Sequence, residues 1–272
     1  MKKLFIAFTL GTLCIRVFSF TDNTPFGARS SALSNATVAI SDMWSVHHNQ
    51  AGLSEANEIA AGISYENRFM LSQLGIKSAA LVVPVKTGGF GLSVVSLGYS
   101  GYTETKYGLS YGQKLGDIFS VGIQIAYFQT KISENYGTRG VVEGEIGFRI
   151  KLSDKLTLAS HIFNISKAKL TTYNDERLPT IIRFGGLYSF SKKVFVSGEI
   201  EKDILKNPIA KIGLEYQLSD IFCLRTGVSS VPFSYTFGFG LKIKRFNLDF
   251  SSATHYVLGY SPQLSISYRL KK

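Results

Sequence analysis

Few residues in this chain are spaced to do chemistry. His47 and His48 stand side by side, with Asp42 just upstream. Structural zinc takes four His, Cys or carboxylate ligands and catalytic zinc takes three. No cysteine and no second carboxylate stands at ligand spacing, so the pair reads as packing and no metal is expected. Ser251 and Ser252 precede His255. A base beside a hydroxyl can activate it as a nucleophile. Neither serine stands in a Gly-x-Ser-x-Gly elbow, however, and His161 is isolated. No catalytic residue is assigned, and the chain is not read as an enzyme. Gly88-Gly89-Phe90-Gly91 is glycine-rich but reads as a hairpin turn rather than a nucleotide cradle. No cofactor is called for. Two cysteines, Cys14 and Cys223, exclude a disulfide framework and a cysteine-ligated metal cluster.

The elements that would hold these residues follow from composition and pattern. The chain has 272 residues, of which 45% are apolar, 13% aromatic and only 18% charged, with 26 Gly, 14 Tyr and 20 Phe. That excludes disorder and favours sheet. Lys2-Lys3, an apolar run over 4–15 and the small Ser19 have the layout of a secretory signal peptide, expected over residues 1–19. The run is too short to span a bilayer as a helix. Leu13 before Cys14 is not small, which argues against lipidation. Net charge is +11. In an exported membrane chain that charge points to anionic lipid headgroups or an acidic partner surface, and no nucleic-acid partner is expected.

Beyond residue 58, apolar and polar residues alternate almost throughout. Val121, Ile123, Ile125 and Tyr127 interleave with Gly122, Gln124 and Ala126. Tyr235, Phe237, Phe239 and Leu241 interleave with Thr236, Gly238, Gly240 and Lys242. A period of two makes strands with one greasy and one polar face. Tight polar turns such as Leu115-Gly116-Asp117, Leu152-Ser153-Asp154 and Leu218-Ser219-Asp220 separate them, giving about fourteen strands. The polar face is lean in charge, and the greasy face carries large aromatics. A soluble β-sandwich would bury the greasy face and solvate a densely charged one. An exported chain of this kind instead predicts an all-β, transmembrane antiparallel β-barrel of about 14 strands over residues 59–272, in the outer membrane of a Gram-negative bacterium. Apolar side chains then face lipid, and Gly, Ser and paired charges fill the lumen.

Residues 20–58 do not alternate. They are small and polar, carry the single Trp44, and predict an N-terminal plug (hatch) inside the barrel. Gly27-Ala28-Arg29, then Asp42, Trp44 and Asn49-Gln50-Ala51-Gly52-Leu53, resembles the hatch of the FadL-like outer-membrane proteins and of their PorV/PorQ-like relatives, the type IX secretion-associated branch. The chain departs at Gln50, where that family usually has Pro. The resemblance implies a monomeric barrel with an N-terminal plug. Arg29 and Asp42 are the candidates to pair with wall charges, Trp44 and Asn49 to pin the plug, and Gly52 to complete the hatch. Connections of about 4 to 12 residues leave little material for a ligand-collecting vestibule. The expectation drawn from that length is an accessory, partner-binding subunit of a larger outer-membrane protein complex for secretion or assembly. The alternative is a FadL-like transporter of hydrophobic small molecules, which would bring a hydrophobic ligand. The plug counts against a general porin.

Overall fold

The computed structural model describes residues 25–133, 137–169 and 178–270. The expected signal peptide over 1–19 lies outside the described residues. Fourteen antiparallel strands form a closed barrel. They are β1 (Ile59–Asn67), β2 (Gly75–Val85), β3 (Gly88–Tyr99), β4 (Tyr102–Leu115), β5 (Phe119–Ile132), β6 (Gly137–Lys151) and β7 (Leu156–Phe163), followed by β8 (Ile181–Ser189), β9 (Val194–Asp203), β10 (Ile209–Gln217), β11 (Phe222–Ser230), β12 (Phe233–Ile243), β13 (Phe246–His255) and β14 (Gly259–Leu270). Each strand pairs with its neighbours in sequence. The ring closes where β1 meets β14, with Ile59 opposite Leu270 and Ile63 opposite Ile266.

Alternation decides which way each side chain points. On β5, Ile123 and Ile125 are 51% and 64% exposed, while Gln124 and Ala126 are 2% and 1% exposed. Charged Glu145, Arg183 and Glu199 are buried, and Phe184, Phe190 and Phe237 are exposed. Such an arrangement is inside-out for water. It suits hydrocarbon, because ring closure pairs the ladder N–H and C=O groups of neighbouring strands within the protein.

The two ends differ. At the end that holds Ile59 and Leu270, the terminal end, strands are joined by two to four residues. At the far end the connections run from two residues, 100–101, to seventeen, 164–180. The range is wider than the sequence suggested. Strands β4, β5 and β6, of 14, 14 and 15 residues, stand taller than β7, of 8. β7 covers only the Ile146–Lys151 part of β6. Above that part Ile165 N–H donates to the Gly144 carbonyl at 2.9 Å, so the long connection continues along the edge β7 leaves free.

Residues 25–58 do not join the sheet. Helix α1 (Ala28–Ala32) touches β11 to β14, whereas a 3-10 turn (Gln50–Glu55) touches β3 to β6. A segment that reaches both walls of a closed cylinder lies inside it. Helix α2 (Ser45–His48) links the two.

The direction of the greasy face has a direct test. Leu109 and Ile125 face each other across β4 and β5, halfway along both strands and pointing outward. Leu109→Arg is expected to lower stability in phospholipid vesicles by about 2–4 kcal/mol, read from urea-driven unfolding. The same substitution in a water-soluble sandwich would be close to neutral at so exposed a site.

Candidate functional site

The interior is one continuous site, and its strongest term is charge. From β4 to β13, inward ionic side chains form three linked groups. Lys106 pairs with Glu145 and, at 3.3 Å, with Glu143, and His161 Nε2 lies 2.9 Å from Glu145. Arg183 and Lys211 both reach Glu201 at 2.8 Å, and Lys211 also reaches Glu199 at 3.3 Å. Arg225 bridges Glu215 and Asp249 at 2.6 Å each. Buried charges are tolerable only when paired and hydrogen-bonded. Across β14, β1, β2 and β3 the middle of the inner wall is instead small and uncharged, with Ser265, Gly62, Ser64, Ser78 and Ala80.

The five residues singled out from the sequence all lie in this interior. Arg29 Nε and Nη2 donate to the two Glu215 carboxylate oxygens at 2.9 and 3.0 Å, and Nη1 donates to Asp42 at 3.1 Å. Burial opposes the guanidinium charge, but Glu215 and then Asp42 outweigh it and hold Arg29 protonated beyond its ordinary range. Asp42 also accepts from the Trp44 N–H at 2.8 Å, which sets the turn into α2. Trp44 is buried with Val46, Leu53, Ala80 and Val82. Its indole lies against Gly27, whose φ of +98° and crowded α-carbon exclude a side chain. Asn49 Nδ2 donates to the Val38 carbonyl at 2.9 Å and to the Phe148 and Ser160 carbonyls on β6 and β7 at 3.2 Å. Gly52 lies under Ser45, where a Cβ would come within 2.5 Å of the hydroxyl. Arg29 and Asp42 thus meet each other, and Asn49 and Gly52 serve a separate contact on β6 and β7 and within the segment.

Several holding residues went unread in the sequence. Gln50 Nε2 donates to Glu145 at 2.9 Å, a bond that proline could not make. Glu199 accepts from the N–H groups of Thr37 and Val38, both at 2.9 Å. Arg149 donates to the Ala39 carbonyl at 3.0 Å. Gly89, Gly112, Gly122 and Gly147 stand opposite one another across β3, β4, β5 and β6. A Cβ at any of the last three would overlap Asn49, Gln50 or Ala51, and one at Gly89 would come within 2.8 Å of the Leu53 carbonyl. This glycine row is the floor on which residues 49–53 lie. Each glycine falls on the polar face of its strand, but the four become a row only once strand register is set.

The lumen is not polar throughout. Near the far end Ile76, Val95, Leu97 and Phe128 turn inward and pack with Phe26 and Leu178. Alternation by itself assigned that face to small and ionic residues, and these large ones break the pattern. His47 connects the cluster to the segment, edge-on to Phe26 at 5.1 Å and stacked near Trp44 at 6.4 Å. His48 Nε2 lies 2.9 Å from the Phe26 carbonyl. Among the described residues no group of three or more metal-ligating side chains occurs. At the terminal end a cavity of about 400 Å3 is lined by Ser41, Asp42, Met43, Glu55, Glu58 and Arg269.

No protein-family profile matches the chain, and no curated protein matches it by sequence. Solved structures match in fold. The CymD monoaromatic hydrocarbon channel aligns with a TM-score of 0.72 at 11% identity, over 92% of this chain and 99% of that one. The P. putida toluene transporter TodX aligns with a TM-score of 0.70 at 12% identity, over 92% and 100% of the two chains. A Pseudomonas aeruginosa FadL homologue aligns with a TM-score of 0.66 at 11% identity, over 89% and 98%. The fold is therefore that of FadL-like barrels. These neighbours overturn the accessory-subunit reading, which rested on connection length. Barrels titled as channels and transporters are matched nearly end to end, so connections of this length do not mark a barrel without transport.

The contacts of the inner segment yield two expectations. Gly122→Val is expected to push residues 50–51 off the wall while β5 keeps its ladder. Limited proteolysis should then cut within residues 25–58, and the barrel should still shift on a gel when heated. Arg29→Ala removes two bonds to Glu215 and one to Asp42, and is expected to cost about 2–4 kcal/mol in unfolding free energy.

A third concerns pH. Burial first, then the charges of Lys106 and His48, push His47 down to about 3 from its ordinary 6.5. Burial also pushes His48 down. An unfolded chain takes up these protons below pH 6.5 and the folded one does not. The stability present above pH 6.5 is lost as pH falls toward 3, by about 1.4 kcal/mol per unit for His47. Thermal unfolding in detergent should show this slope between pH 6.5 and 4, and His47→Gln should make it shallower.

Proposed function

We propose that this barrel is an outer-membrane channel for small hydrophobic molecules, entered from the far end. The observation that carries the reading is the apolar cluster of Phe26, Ile76, Val95, Leu97, Phe128 and Leu178 inside an otherwise polar lumen. A water-filled pore for polar solutes has no use for such a lining. A monoaromatic or comparable apolar solute gains about 25 cal/mol for each Å2 it buries there. The structural neighbours, a hydrocarbon channel and a toluene transporter, support the same class.

Orientation follows from the connections. Outer-membrane barrels keep their short turns on the periplasmic side, so the terminal end faces the periplasm and the far end faces outward. Residues 25–58 act as the plug. They separate the apolar cluster from the 400 Å3 cavity at the terminal end. Bonds to Glu145, Glu199 and Glu215 hold the plug in place and exclude free flow of water and ions.

The test compares solutes of opposite polarity. Cells that express the chain in an uptake-deficient host should accumulate radiolabelled toluene faster than the empty host. Proteoliposomes should not swell in sugars. Leu97→Asp, which puts a carboxylate into the cluster, should abolish the gain in toluene uptake without loss of the folded barrel. Sugar-driven swelling, or toluene uptake equal to that of the empty host, would overturn the reading.

A further inference from the structure

The outer wall carries a feature that transport through the lumen does not use. Strands β14, β1, β2 and β3 leave a cleft of about 490 Å3 on the lipid-facing surface. Its cause is a difference in side-chain size along adjacent outward rows. Ala79 stands between Ile63 on β1 and Val94 on β3. Ile63, Leu264 and Val94 are 61%, 49% and 40% exposed and stand proud of the sheet. The methyl group of Ala79 does not reach their height, and the cleft lies over it.

The cleft is a surface feature and not a hole. The ladder from Ala60 opposite Val82 to Asn67 opposite Gly75 is unbroken. So is the ladder from Ile76 opposite Leu97 to Val85 opposite Gly88. The wall beneath is closed, which sets this cleft apart from any passage into the lumen.

One end of the cleft is polar. Lys77 points outward between Tyr65 on β1 and Ser96 on β3, and all three line the cleft. Lys77 lies near the far end of β2, eight residues from Val85 at the other end. At about 3.4 Å per residue and a tilt of about 40°, those eight residues rise about 21 Å, close to the ~25 Å apolar band of such barrels. The cleft therefore lies in hydrocarbon, and the ammonium of Lys77 lies at the level of lipid headgroups. Among the described residues no carboxylate forms an ion pair with Lys77. A lipid-facing lysine without an acidic partner takes its counter-charge from the membrane.

We propose that this cleft binds one acyl chain of lipid A, the phosphorylated glycolipid of the outer leaflet. The chain lies over Ala79, and a phosphate meets Lys77 Nζ and the Tyr65 hydroxyl. The choice of lipid A over a glycerophospholipid rests on the orientation argued above, with the far end outward. The readout is lipid retention, which does not depend on whether the lumen transports anything.

The test is native mass spectrometry of the detergent-purified full chain, with lipid A, phosphatidylglycerol and phosphatidylcholine offered at equal concentration. Wild type is expected to retain one lipid A in preference to both others. Lys77→Gln removes the charge and is expected to reduce that retention about fivefold, the value of one lysine–headgroup contact. Ala79→Leu fills the cleft, keeps the charge, and is expected to reduce retention of all three lipids at this site. Both variants are conservative on an outward face, and heat-shifted migration on a gel confirms that each barrel has folded. Equal retention of phosphatidylcholine and lipid A by wild type, a preference for phosphatidylglycerol, or retention unchanged in both variants would each overturn the proposal.

Discussion

Hydrocarbon outside the wall fixes everything inside it. A strand that must show lipid an apolar face sends its other face inward, and with a period of two no residue can avoid the choice. The ionic side chains of β4 to β13 therefore converge on a lumen where an unpaired charge is very costly. Wall residues satisfy one another only in part. Glu215 takes Arg225 from the wall and Arg29 from the inner segment. Glu199 is completed by backbone N–H groups of residues 37–38, and Glu145 by Gln50. Residues 25–58 thus complete ion pairs and hydrogen bonds that the wall leaves open.

The same interior has a second character. Where charges give way to Ile76, Val95, Leu97 and Phe128, the inner face becomes apolar and packs on Phe26 and Leu178. Charge holds the inner segment from one side, and the opposite wall of Ser, Gly and Ala touches it through Met43 at Gly62 and the cluster around Trp44. Ionic contacts and apolar packing thus occupy different parts of one cylinder.

The barrel was legible in the sequence because its cause is local. Alternation such as Val121-Gly122-Ile123-Gln124-Ile125 is a direct imprint of a two-sided environment, and the turns follow from Gly-Asp and Ser-Asp pairs. Arg29 and Asp42 were legible as charges in a small-residue segment, each expected to meet the wall; Arg29 meets Glu215, and Asp42 meets Arg29. The partners were not. Nothing within thirteen residues of Arg29 points to Glu215, which lies 186 positions along the chain. The row of Gly89, Gly112, Gly122 and Gly147 was also hidden, because it becomes a row only once strand register is fixed. Ile76 and Phe128 break the polar face as single substitutions, which reads as noise along a strand and becomes a patch only when strands are set side by side. Connection length misled, because it measures how much chain lies beyond the membrane and not what the lumen holds.

Arg29 bonds Glu215, and Ala28 N–H bonds Ser265, 237 positions away. Ala28 and Arg29 leave a ribosome before any strand and are thus among the last residues to find their partners. Until β11 to β14 exist, α1 has no surface to rest on. Once β1 has zipped onto β14, the segment can no longer slip in through the side. Ring closure and the capture of the N-terminal residues must then be a single late event in biogenesis. A chain cut short before its final strand would lose its lining as well as its seam.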